Sequence, residues 1–67
     1  MGLGGPKESA RAIAQRKLVW QTWILHACLG YVSRHTLAKH VGSILGLPRT
    51  TVENIVGITT PDGCFAP

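Results

Sequence analysis

Sixty-seven residues carrying a formal charge of +4 make one domain at most, because a chain this short buries only about 60% of its unfolded surface. Seven lysines and arginines against Glu8, Glu53 and Asp62, with a pI near 9.7, favour a polyanionic partner, either nucleic acid or an anionic membrane. Cys28 and Cys64 form no CxxC pair, which argues against a metal knuckle or a dithiol redox motif; one bridge or two reduced thiols both stay open.

Residues 1–6, MGLGGP, read as a flexible lead, and residues 7–67 as a single helical domain. The first helix is expected over 7–31, with Pro6 beside its start, where a missing N–H costs nothing. Its front half, KESARAIAQRK, is alanine-rich and charged, a good helix former. Its back half, LVWQTWILHACLGYV, is apolar almost all round. That run contains Gln21, Thr22 and His26 and falls short of the roughly 20 apolar residues of a spanning helix, so a small membrane subunit is the weakest reading. No leader pattern is read at the amino terminus.

On a helical wheel Ile13, Trp20, Ile24, Ala27 and Tyr31 share one flank, and Leu18, Leu25, Leu29 and Val32 another. Val19, Trp23 and Gly30 lie on a third. Two short partner helices can hardly cover a helix that is apolar on three sides. Self-association as a two-fold homodimer is the expected repair, with Trp20, Trp23, Ile24, Ala27 and Tyr31 as the interface. The alternative keeps the tryptophans in the core of a monomer, or sets the first helix against a partner or a missing domain.

The second helix is expected over 34–45, capped by Ser33, with Val32 and Leu37 spaced as a hydrophobic staple. Leu37, Val41, Ile44 and Leu45 form its inward face. Gly46 can adopt the left-handed geometry that stops a helix, and Pro48 can open the next. The third helix is expected over 48–56, with Val52, Ile55 and Val56 inward. Residues 57–67, GITTPDGCFAP, read as a short hairpin or tail around a Pro61-Asp62-Gly63 turn capped by Asp62. The fold class is therefore all-α: three helices and a short carboxy-terminal hairpin or tail.

The stretch VGSILGLPRTTVENI carries a small residue at Gly42, a turn glycine at Gly46, and aliphatic residues at Val52 and Ile55, with Val41, Leu45 and Leu47 at further apolar positions. Over about residues 37–56 it resembles the helix-turn-helix of bacterial and phage DNA-binding proteins. Gly42 is a departure, since alanine is usual there and glycine weakens a helix interior by up to about 1 kcal/mol. The resemblance implies double-stranded DNA as partner, transcription regulation as role, and a cytoplasmic, nucleoid-associated protein of bacterial or phage origin.

With the third helix's apolar face turned inward, Arg49, Thr50, Glu53 and Asn54 are left to contact base edges. Arginine pairs with guanine and asparagine with adenine, while threonine suits either a base or a methyl group. Glu53 repels phosphate, so it must point into the groove or toward a basic side chain. Arg34, His35 and Lys39 are the expected phosphate contacts, Thr51 is read as a further phosphate contact, a cap of the helix start or a packed methyl, and Lys7, Arg11, Arg16 and Lys17 add charge.

No enzyme is expected. His26 and Cys28 do not share a helix face, and His35 and His40 are poorly spaced for one ion. No serine has a histidine and carboxylate arrangement, and MGLGGP lacks the strand and lysine of a phosphate loop. No metal or cofactor is assigned. His26 reads as a core or interface histidine, able to tune assembly only if it lies in the dimer seam. A non-enzymatic protein-interaction module stands as the runner-up function.

Overall fold

Ser9 starts the first helix. Its side chain accepts a hydrogen bond from the Ala12 backbone N–H at 3.1 Å, satisfying one of the donors a helix start leaves open. In a computed structural model that describes residues 9–30 and 33–67, the helices are α1 (Ala10–Ala27), α2 (Arg34–Leu45) and α3 (Arg49–Ile58). The flexible lead over 1–6, and the parts of the expected first helix at Lys7, Glu8 and Tyr31, lie outside the described residues.

The first helix is shorter than the 7–31 expected from its composition. It ends at Ala27 because the chain tightens: the Leu29 N–H donates to the His26 carbonyl and the Gly30 N–H to the Ala27 carbonyl. Gly30 then takes φ +93°, a left-handed geometry that glycine adopts without penalty. The expectation had counted Gly30 as helix interior.

Ser33 caps α2 through Thr36, whose backbone N–H it accepts at 3.1 Å. At the far end Gly46 sits at φ 73°, ψ 31°, and the Leu47 N–H folds back to the Gly42 carbonyl at 2.8 Å. That closure explains Gly42. A Cβ there would stand 2.4 Å from the Leu47 carbonyl oxygen, so the position has no room for alanine. Pro48 precedes α3 in an extended conformation, so the helix begins at Arg49 rather than at 48.

The third helix also runs two residues past the expected end at Val56. Gly57 does not stop it, and the Thr59 N–H still reaches the Ile55 carbonyl at 3.0 Å. Thr59 is then pinned from α1, where the Trp20 indole N–H donates to its hydroxyl at 2.9 Å.

Each helix gives one fully buried valine to the core, Val19, Val41 and Val52, joined there by Leu37, Ala38 and Val56. Trp20, Trp23, Leu45, Leu47 and Ile55 pack around this centre, partly buried. The two tryptophans, expected at an intersubunit seam, each pack one side against the chain's own core. Ile44, expected inward, is 50% exposed. The most extensive contact is between α2 and α3.

The tail forms no strand among the described residues. It folds back as a loop closed by one antiparallel bridge, Thr59 to Phe65. The Gly63 N–H donates to the Thr60 carbonyl at 2.8 Å, and Gly63 at φ +86° lies so close to Ile13 that a Cβ would meet its carbonyl at 2.7 Å. Arg16, nearly buried, donates from Nε to the Gly63 carbonyl at 2.8 Å and lies over the Phe65 ring at 4.8 Å. Arg16 thus anchors the tail, whereas the sequence had placed it among groups that only add charge. No described helix is long and apolar enough to cross a membrane.

Two glycine substitutions should act in opposite directions. Gly42→Ala forces a methyl into backbone and should cost about 1–3 kcal/mol. Gly57→Ala meets only the flexible Arg34 side chain, 3.3 Å away, and should gain up to about 1 kcal/mol of helix propensity. Thermal unfolding of both variants measures the contrast, and a stabilised Gly42→Ala protein would refute the close approach.

Candidate nucleic-acid interface

Burial divides α3 into two faces. Val52 and Val56 are buried against the other helices, while Thr50, Asn54 and Gly57 are exposed. The hydrophobic spacing alone dictates this division, because residues 50, 54 and 57 recur on one side of a helix with 3.6 residues per turn.

Arg49 and Glu53 flank that outward stripe, half-buried, and form an ion pair one turn apart. Arginine at a helix start faces the positive end of the macrodipole, an unfavourable place for a cation, and Glu53 offsets it. Of the two arrangements expected for Glu53, the structure realises the one toward a basic side chain. Its carboxylate holds the Arg49 guanidinium, so the two act as a unit rather than as separate contacts.

Among the expected phosphate contacts, His35 and Lys39 are exposed on α2. Arg34, also exposed, reaches over the Trp23 ring at 5.8 Å, and its Nη2 stands beside Gly57 of α3. It therefore links all three helices as well as carrying charge near the outward stripe. Thr51 is half-buried and, with Asn54, lines a cleft against α1. Neither α2 nor α3 has an acidic residue in its first turn, so both helix starts keep their positive character.

That cleft, of about 250 Å³, separates the front of α1 from α3 and the tail. Gln15 lies on one wall, Thr51 and Asn54 on another, and Phe65 closes the end. Sequence reasoning missed Gln15 and Phe65, because nothing in their local pattern announces that α1 and the tail converge beside Asn54.

Of the residues expected at an intersubunit seam, Ile24 (48% exposed) and Ala27 remain on the surface, and Tyr31 lies outside the described residues. His26 is turned to α2, its ring edge-on to His40 at 4.7 Å between centroids, not to an outer face. Among the described residues no three histidine, cysteine or acidic side chains gather to hold a metal ion. Cys28 and Cys64 are both exposed, free thiols.

No protein-family model, curated protein or solved structure matches the chain.

One electrostatic detail concerns the loop that closes the cleft. The Thr60 hydroxyl and the Cys64 backbone N–H both donate to the Asp62 carboxylate and hold its pKa below the usual 3.8. A lowered folded value means the turn's stabilisation is present above the unfolded value and is lost as pH falls through the folded one. Acidification below pH 3.8 should therefore loosen the Asp62 turn, while the Arg16 anchor to Gly63 persists. Amide signals of Gly63 and Cys64 followed by NMR should show this transition, and Asp62→Asn should abolish it.

Proposed function

We propose that the protein binds double-stranded DNA as a homodimer, with α2 and α3 acting as a helix-turn-helix and α3 as the recognition helix, in a role of transcriptional regulation. The observation that carries this reading is the two-faced third helix, with Val52 and Val56 buried while Thr50 and Asn54 stand outward. A helix seated by one face and polar on the other is what entry into a major groove demands.

The chemistry of the outward stripe supports it. Asn54 has the amide geometry that pairs with adenine, and Thr50 suits a base edge or a thymine methyl. Arg49, oriented by Glu53, sits at the edge of the stripe for guanine. Gly57 continues the stripe without a side chain, which permits close approach of a DNA backbone.

Charge supports the same reading. Arg34 and His35 stand at the start of α2, where the helix dipole adds positive potential for phosphate, and Lys39 is exposed in its second turn. Thr51, half-buried beside the cleft, is better placed to position α3 than to meet phosphate. Two copies would set their recognition helices in successive grooves about 34 Å apart on a roughly palindromic site. Bound there, the dimer blocks or recruits other machinery.

Anisotropy of labelled duplex DNA at two salt concentrations tests the proposal. Random duplex should bind in the micromolar range, weakening steeply with salt. After a site is selected, Asn54→Ala should cost about 1–3 kcal/mol there and little on random DNA. Lys39→Ala should cost alike on both and lower the salt slope by about one. No binding at low salt by folded protein would dismiss the reading.

A further inference from the structure

Arg34 is the first residue of α2, yet its guanidinium is held against the other two helices. Its Cζ lies 5.8 Å from the centre of the Trp23 ring on α1, within the reach of a cation–π contact. Its Nη2 stands so close to Gly57 on α3 that a Cβ at residue 57 would meet it at 3.3 Å. Gly57 is exposed and continues the outward stripe of Thr50 and Asn54. An arginine of α2 thus reaches the face that α3 turns outward.

The charge held there has no carboxylate beside it. Among the described residues Glu53 is joined to Arg49, and Asp62 accepts from the Thr60 hydroxyl and the Cys64 N–H. Arg34 itself is exposed. A ring face and a glycine orient the guanidinium but leave its charge and its N–H edge to an outside anion. The planar group presents those donors as a fixed fork, which suits the oxygens of a phosphate.

The position also calls for a cation. Gly57 lies in the last turn of α3, where unpaired carbonyls carry the negative end of the helix dipole, and that turn contains no basic residue. A phosphate approaching this end of the stripe would be repelled by α3 alone. Arg34 reverses the sign of the potential there, and it does so from a different helix.

We infer that Arg34 is a preset clamp for a backbone phosphate of bound duplex DNA, at the carboxy-terminal end of the α3 stripe. Trp23, beneath the guanidinium, and Gly57, by its missing side chain, position it. The inference rests on the proposed DNA reading, and it gives Trp23 and Gly57 a part in affinity that neither plays by contact with phosphate. A flexible side chain loses rotamer freedom when it docks, and one already held in place loses less. Disturbing the seat therefore weakens binding even though the charge remains.

Anisotropy of labelled random duplex DNA tests the clamp. Arg34→Ala should bind about eightfold more weakly at about 0.1 M salt and lower the salt slope by about one, the counterion-release values for one phosphate. Trp23→Leu should weaken binding roughly threefold, the cost of ordering one long side chain, and Trp23→Phe, which keeps a ring face, should weaken it less. Gly57→Ala should also bind more weakly, although its helix is the more stable one.

The deciding step repeats Trp23→Leu and Gly57→Ala in the Arg34→Ala background. A positioning residue acts through the arginine, so both losses should largely vanish there, a coupling of roughly threefold. Equal losses in the two backgrounds would assign Trp23 to packing and Gly57 to the direct approach of DNA, and would overturn the clamp. An unchanged salt slope for Arg34→Ala would overturn it as well. If Trp23→Leu does not fold, the Gly57 pair decides by itself, because residue 57 is exposed and outside the core. Folded wild-type protein that ignores DNA at low salt sinks the proposed function and the clamp together. Wild-type binding without coupling sinks the clamp alone.

Discussion

The approach of Leu47 to Gly42 sets the position of everything carboxy-terminal to α2. A hydrogen bond of 2.8 Å ties the Leu47 N–H to the Gly42 carbonyl, and the Leu47 carbonyl occupies the space a side chain at residue 42 would need. Gly46 makes the reversal possible with its left-handed backbone. With the chain folded back this tightly, α3 leaves Pro48 already seated on α2, and Val52 enters the core beside Val41. The helix-weakening glycine in α2 is thus a requirement of the close approach, and its loss of helix propensity is small beside a clash with backbone.

The core that results is narrow. One valine from each helix is fully buried, and these short side chains bring the helices close without leaving room for indoles. Trp20 and Trp23 pack at the margin instead, where each makes a polar contact: Trp20 donates to Thr59, and Trp23 lies under the Arg34 guanidinium. Those contacts tie α1 to the end of α3 and to the start of α2. The α1 face that remains outward is the leucine-rich one, with Leu18, Leu25 and Leu29 exposed.

The same packing shapes the proposed interface. Fixing Val52 and Val56 inward leaves Thr50 and Asn54 no other direction than outward, so the character of the polar stripe follows from the hydrophobic one. The tail, held by Arg16 and closed by Asp62, brings Phe65 to the side of α3. It adds a wall to a cleft that opens beside Asn54.

The all-helical class, the capping of α2 by Ser33, the Gly46 turn and the inward valines of α3 were legible in the sequence, because local periodicity and cap chemistry act within a few residues. The outward stripe at Thr50 and Asn54 followed from the same period. Contacts between residues far apart in the chain were not legible. Arg16 looked like one more surface cation until Gly63 and Phe65 were brought against it from the far end of the chain. Glu53's choice of partner depended on a rotamer, and the direction in which Thr51 points depended on where α1 crosses. Which side of α1 stays exposed was undecidable from a helix apolar nearly all round. A wheel orders the faces of one helix, but only the size and placement of the residues it meets decide which face is buried.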